Sequence, residues 1–298
     1  MAAHSPLLIT GASGFVGSNL CALAATAGPV IGISNNHSVS IIDVPIVKCD
    51  LTDPSALSAL LSDIKPRAVI HAAAAAQPNF CQEHPLESHK INVEATIILA
   101  QLCADRNIPF VFTSTDLVFD GTHAPYCEDD PVCPISLYGE QKVSAEERIV
   151  SIYPQALICR LPLMYGNAAG SATTANFYQT IKKALQQKQS ITLYADEFRT
   201  PVSAHTAAQG VLLLLEKKAT GIYHLGGRER ITRYDFGVRY GIKKYPGMVE
   251  ITGLIKQGVW DKNAQIAPRP KDVSLISEKA YGLGYDPKRV DEEISQLQ

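Results

Sequence analysis

The stretch Leu7-Leu8-Ile9-Thr10-Gly11-Ala12-Ser13-Gly14-Phe15-Val16-Gly17 runs directly into a helix-forming segment, Ser18 to Ala27. The short apolar run at its start reads as a buried strand. The glycines that follow have separate uses. Gly11 permits a tight turn, Gly14 lets the backbone approach a ligand closely, and Gly17 lets helix pack on strand. A helix N-terminus at the end of such a turn presents unsatisfied amides to an anion. Strand, glycine-rich turn and helix in this order imply a dinucleotide site, with Ser13, Phe15 and Val16 completing the cradle.

Working outward, the same alternation continues. Pro29 to Ile33, Ile46 to Cys49, Ala68 to His71, Phe110 to Thr113 and Ala156 to Arg160 read as strands. Helices lie between them: one opening at Thr52-Asp53-Pro54, one over Ser88 to Arg106, one over Leu137 to Val150. The pattern predicts an α/β fold, a Rossmann-type doubly wound parallel sheet. Ligands in such sheets lie beyond the C-terminal strand ends. Gly11, Asp50, Ala72, Thr115 and Pro162 all fall at that edge, with Leu51, Ala73, Ala74 and Thr113 beside them. The five alanines Ala72 to Ala76 leave room for a cofactor against the backbone. Asn92 reads as a helix residue bonding locally.

The second strand ends in Ser34-Asn35-Asn36-His37 and offers no carboxylate to a ribose 2′-hydroxyl. That favours NADP, with NAD as the alternative, although no arginine lies nearby to hold a 2′-phosphate. Asp43 takes the acidic role only if the strand boundary is several residues out.

Beyond Arg160, Leu161 to Gly166 is expected to close the sheet. A helix over Thr174 to Gln187, a strand over Ile191 to Tyr194, a helix over Ser203 to Lys217, a strand over Gly221 to Gly227 and a helix over Thr232 to Ile242 follow, with an ordered turn at Pro268 to Pro270. The chain therefore divides into an NAD(P)-binding Rossmann domain over 1–165 and a smaller substrate-binding lobe over 166–298. Segments around 201–226 are expected to return to the first domain.

Composition narrows the class. The 298 residues are 46% hydrophobic and 19% charged, an ordinary globular balance. A net charge of -2 leaves no electrostatic footprint for nucleic acid or an anionic membrane. No apolar run is long enough to span a bilayer, and the start of the chain carries no signal-peptide pattern. Seven cysteines without a C-x-x-C suit neither a disulfide framework nor a zinc site, so the expectation is a cytoplasmic protein with reduced thiols and no metal. A homodimer is the default oligomer.

A second stretch carries the chemistry. Phe110 to Thr113 leads to Ser114 and Thr115, and the next helix holds Tyr138 and Lys142, four residues apart on one face. A neighbouring ammonium is expected to lower the phenol pKa from its usual ~10, making a proton donor or acceptor, while the strand-end hydroxyls hold the reacting oxygen.

Together, G-A-S-G-F-V-G (Gly11 to Gly17), S-T-D-L-V-F-D-G (Ser114 to Gly121) and Y-G-E-Q-K (Tyr138 to Lys142) resemble the extended short-chain dehydrogenases/reductases, and among them the dTDP-4-dehydrorhamnose reductase family. Asn176-Phe177, the surroundings of Arg199, and Arg269-Pro270 with Leu275 extend the likeness over nearly the whole chain. The resemblance implies reduction of a 4-keto nucleotide sugar by a nicotinamide. Tyr138 would give the proton, Lys142 would hold the nicotinamide ribose and lower the tyrosine pKa, and Thr115 would bond the substrate oxygen. Asn176 and Phe177 would touch the substrate nucleotide, and Arg199 and Arg269 its diphosphate. The chain departs from the family at Leu117, often Tyr there, and at Val273, where R-P-x-x-S-x-L has Ser. Asp116 is followed by leucine, so the second carboxylate of the related dehydratases is missing. The β-subunit of methionine adenosyltransferase is similar to the same family, which makes a regulatory subunit the main alternative. An NAD-dependent epimerase is another.

Overall fold

The computed structural model describes residues 5–172, 176–248, 251–261 and 266–297. Its elements run β1 (Leu7–Thr10), α1 (Phe15–Ala25), β2 (Val30–Ser34), β3 (Ile46–Lys48), α2 (Pro54–Ile64), β4 (Ala68–His71), α3 (Pro78–Glu83), α4 (Pro85–His89), α5 (Ala95–Asp105), β5 (Phe110–Thr115), α6 (Leu137–Ile152) and β6 (Leu157–Leu161). A seventh strand, Gly221–His224, pairs with β6, giving the order Gly221–His224, β6, β5, β4, β1, β2, β3. Every pairing in this sheet is parallel. This is the Rossmann-like α/β fold predicted from the alternation.

The central strands are buried on both faces, which is why they read as unbroken apolar runs rather than alternating ones. On one face Ile9, Val111 and Leu157 pack with Leu20 of α1 and with Val211 and Leu214 of a later helix. On the other, Leu8, Val69, Phe112 and Ile158 pack with Leu57, Leu61, Leu99 and Ile149. The Asp53 carboxylate caps α2 by accepting from the amides of Ser55 and Ala56 at 2.9 and 3.1 Å.

Three boundaries differ from the sequence reading. Helix α1 begins at Phe15 rather than Ser18, because Gly14 is itself the N-cap and the first helical turn lies inside the glycine motif. The helix expected over Ser88 to Arg106 divides into α4, a π-helical turn at Lys90–Glu94, and α5. Leu161 to Gly166 does not close the sheet. Pro162 has no amide to continue the ladder, and Met164–Tyr165 pairs instead with Val202–Ser203.

After β6 come α7 (Phe177–Gln186), α8 (Ala204–Glu216) and α9 (Arg233–Lys244). Helix α8 packs against α1 beside the sheet. Helices α7 and α9 share a separate core that includes Tyr178, Ile181, Leu185, Phe236, Tyr240 and Ile255. There the strands Ile191–Tyr194 and Ile255–Gly258 pair in parallel. The helix expected from Thr174 begins its described part at Phe177; residues 173–175 lie outside the described residues.

Gly17 is the tightest point of the nucleotide-side packing: a Cβ there would lie 2.0 Å from the Gly11 carbonyl oxygen. Gly28 has no neighbour within 4 Å of an added Cβ. Gly17→Ala should therefore lose at least ~2 kcal/mol of stability, while Gly28→Ala stays within about 0.5 kcal/mol of wild type. Denaturant melts of the two variants check this, and equal midpoints would refute it.

Candidate active site

The floor of the site is a meeting of two backbones. Gly11 adopts φ +71°, and a Cβ on it would fall 2.7 Å from the Ala73 nitrogen and 2.8 Å from the Ala72 carbonyl carbon. Here positive φ and close approach both require glycine. Gly14 caps α1 without a side chain, so the opening amides at Phe15, Val16 and Gly17 face the turn. Cradle and open helix end together fit a pyrophosphate.

Ala72, Ala73 and Ala74 run out of β4 as half-buried, irregular backbone. Two buried networks fix them. Thr96 donates its one proton to the Asn92 carbonyl, so His71 Nε2 must donate to Thr96 Oγ1 at 2.9 Å and Nδ1 must accept from Thr10 at 2.7 Å. Thr10 Oγ1 then accepts the Ala73 amide at 3.2 Å. Burial, with the nearby Lys142 charge, pushes His71 down to about 3, so the ring is neutral as this tautomer requires. The Asn92 amide brackets Ala75, accepting from its N–H at 2.8 Å and donating to its carbonyl at 3.2 Å. It also donates to Gln141 on α6 at 2.7 Å. Asn92 thus bonds across the fold rather than locally, a placement the π-helical turn allows.

Helix α6 is set against the end of β5 by Gly139, where a Cβ would meet the Leu117 carbonyl oxygen at 2.3 Å. The Ser136 hydroxyl accepts the Gly139 amide and caps the helix. The buried Glu146–Arg160 pair, 2.7 Å apart, ties α6 to β6. Tyr138 is consequently buried beside Thr115, and Lys142 is buried beneath it. The Lys142 ammonium donates to the Thr113 carbonyl at 3.0 Å and lies 4.4 Å from the Phe112 ring centroid and 5.9 Å from that of Tyr138.

The electrostatics correct one expectation. The Tyr138 phenol is raised, not lowered, chiefly by burial and then by Cys81 and Asp116, with only the Thr115 hydroxyl acting the other way. Lys142 is engaged with Thr113 and Phe112, and burial pulls its own ammonium down to about 8. A phenol held above its ordinary value is protonated throughout the neutral range, which is the state a proton donor needs.

From this centre to the start of α9 runs a chain of charges, buried up to Glu197. Thr115 donates to Asp116 Oδ1 at 3.2 Å, and Asp116 Oδ2 lies 3.6 Å from Arg199 Nε. Arg199 pairs with Glu197 at 2.8 Å, and Glu197 lies 3.3 Å from Arg233 at the start of α9. Burial pushes Asp116 up to about 6, against the pull of Arg199. Arg199 also donates to the carbonyls of Phe198, Pro270 and Lys271. Its donors are therefore engaged within the protein, in place of the expected diphosphate contact. Arg269 differs: Nη2 reaches Asn79 at 3.3 Å, while Nη1 is buried without a hydrogen-bond partner among the described residues. Arg233, which the sequence reading passed over, lies over Phe177 at 5.9 Å, so Phe177, Arg233 and Glu197 share one region.

The remaining candidates are placed as follows. Ser13 and Ser34 meet, Oγ to Oγ, at 3.1 Å, and Asn35 is exposed just after β2. Asp43 stands on the exposed turn bridged by Ile41 and Val44, away from the end of β2. The Asp50 carboxylate accepts from the Thr52 amide and hydroxyl, and Leu51 packs into the core beneath. Pro162 is buried at the end of β6. Both ends of the Asn176 amide are used in structure: it caps α7 by accepting from Gln179 and donates to the Gly166 carbonyl. Val273 is buried with Val118, Phe119, Tyr126 and Leu275, so an apolar residue at that position serves packing. All seven cysteines are free thiols. Among the described residues no group of acidic, His or Cys side chains could hold a metal, and no helix is long and apolar enough to cross a membrane.

The chain is similar in sequence and fold to known proteins. The "Probable low-salt glycan biosynthesis reductase Agl14" of Haloferax volcanii is 29% identical over 97% of this chain and 96% of its own. The β-subunit of methionine adenosyltransferase 2 from Xenopus laevis is 32% identical over 93% of this chain and 82% of its own. Among solved structures, a hypothetical dTDP-4-dehydrorhamnose reductase from Sulfolobus tokodaii superposes with a TM-score of 0.82 at 29% identity, covering 96% of this chain and 98% of that one. The RmlD substrate binding domain matches residues 5–296, and the chain belongs to that family, a dTDP-4-dehydrorhamnose reductase-like branch of the oxidoreductases with a Rossmann-like fold.

Proposed function

We propose that this protein is an NADPH-dependent reductase of a 4-keto nucleotide sugar, acting on dTDP-4-dehydrorhamnose or a close relative. The observation that carries the reading is the buried Thr115, Tyr138 and Lys142 group at the C-terminal edge of the sheet, beside the glycine cradle. The cradle residues Gly11, Ser13, Gly14, Phe15, Val16 and Gly17 would hold the pyrophosphate, and Ala72 to Ala74 would underlie the cofactor. Once bound there, the nicotinamide supplies the hydride.

The chain's own part is proton chemistry and positioning. Thr115 orients the ketone oxygen. As that oxygen gains negative charge, Tyr138 Oη donates to it, and the preorganised donors lower the barrier. Lys142 supplies positive charge beneath the phenol and a donor for a ribose hydroxyl. On the substrate side, Phe177 with Arg269 and Arg233 suits an aromatic base and a diphosphate better than Arg199 does, because Arg269 has a buried donor with no partner among the described residues. The lobe after residue 166 is then the substrate lobe. A reducing, cytoplasmic setting belongs to the proposal and is supported by the unpaired thiols.

A regulatory subunit is the second reading, favoured by the 32% identity to the methionine adenosyltransferase 2 β-subunit. An epimerase fits less well, since the end of β2 lacks the acid expected of an NAD site.

The deciding assay follows NADPH consumption with dTDP-4-dehydrorhamnose generated in situ. Tyr138→Phe should lower turnover by about 10²–10⁴-fold while leaving the melting temperature and NADPH binding intact. Turnover close to wild type in that variant would remove the proton donor. Wild type that binds NADPH without consuming it would transfer the weight to the regulatory reading.

The pH profile provides a separate check. The Lys142 ammonium is charged below about 8 and neutral above it, whereas Tyr138 stays protonated. The kcat/KM for reduction should therefore fall as pH rises through about 8. A profile still flat at about pH 9.5 would show that the Lys142 charge has no part in the reaction.

A further inference from the structure

We infer that Lys48, at the end of β3 and opposite Ser34 of β2, is the cation that selects a cofactor carrying a phosphate on its adenosine ribose. The inference rests on the proposed nicotinamide site. No arginine follows β2 in sequence, but sheet register brings a lysine to the same place. Ser34 and Lys48 are directly paired across β2 and β3, strands that lie only about 4.8 Å apart.

The two side chains also share a face. A Cβ on Gly32 would meet Ile46 Cδ1 and Ala12 Cβ, so Gly32 and Ile46 face α1. Two residues further along each strand, Ser34 and Lys48 face the same way. Ser34 confirms this: its one proton goes to the His37 carbonyl at 2.5 Å, so its Oγ accepts from Ser13 Oγ, inside the glycine turn, at 3.1 Å.

The local charge suits a phosphate. Lys48 is exposed and has no ion-pair partner among the described residues. Residues 34–42 contain no acid. Asp50, the next acid after Lys48, turns its carboxylate onto Thr52 at 2.9 and 2.8 Å. The outer wall of the crevice is fixed by Ser40, whose amide donates to Ser171 Oγ at 2.8 Å and whose carbonyl accepts the Ser171 amide at 3.0 Å. An ammonium with no ion-pair partner among the described residues thus stands where the ribose 2′ position falls in a glycine-cradled dinucleotide.

Fluorescence titration of the full chain with NADPH and NADH tests this without turnover, with thermal shifts by 2′,5′-ADP and 5′-AMP as a second readout. Wild type should bind NADPH about tenfold or more tightly than NADH. Lys48→Ala should remove most of that preference by weakening NADPH alone, and Lys48→Arg should restore it. In wild type, 2′,5′-ADP should stabilise more than 5′-AMP, and the difference should shrink in Lys48→Ala. NADPH and NADH binding that Lys48→Ala leaves unchanged would overturn the assignment while the reductase proposal stands. Failure of both dinucleotides to bind wild type would overturn both.

Discussion

The structure depends on the contact between the Gly11 backbone and the Ala72–Ala73 backbone at the ends of β1 and β4. No side chain fits between them, since a Cβ on Gly11 would lie under 3 Å from three backbone atoms. Gly17 repeats the constraint one turn later against the Gly11 carbonyl. The glycine turn is therefore shaped by how tightly the first βα unit packs on its neighbour. The Thr10–His71–Thr96 and Asn92–Ala75 networks hold the facing loop rigid, with every hydroxyl and ring nitrogen partnered.

The reaction centre depends on a comparable contact. Gly139 lets the first turn of α6 lie on the Leu117 carbonyl, which brings the Tyr138 ring to Thr115. Burial follows, and burial dominates the electrostatics of Tyr138, Lys142 and Asp116 alike. A spacing of four residues on a helix places an ammonium near a phenol. It does not fix what each group costs to desolvate, and here desolvation outweighs attraction.

The buried Asp116–Arg199–Glu197 chain, continued by half-buried Arg233, joins the β5 end to α9. Removing one member of such a chain leaves a charge uncompensated and typically costs about 3–5 kcal/mol. It ties the end of β5 to the start of α9. That accounts for an arginine at position 199 without requiring it to touch a phosphate.

What the sequence determined by itself was local and periodic. The glycine motif, the alternation of strand and helix, Asp53 as a cap, and Tyr138 with Lys142 on one helix face all follow from steric and hydrogen-bonding rules that act over a few residues. They were enough to predict the fold and the edge where the candidate residues meet. Only the tertiary structure decided the rest. It replaced the stretch after Pro162 with Gly221–His224 as the closing strand, turned Asn92 and His71 into fasteners of the alanine loop, committed Arg199 to the interior, and brought Arg233 beside Glu197. It also raised the Tyr138 phenol and set Lys48 opposite Ser34. Each of these depends on register, burial or a partner far away in the chain, and neither desolvation nor strand register is written in the spacing of neighbouring residues.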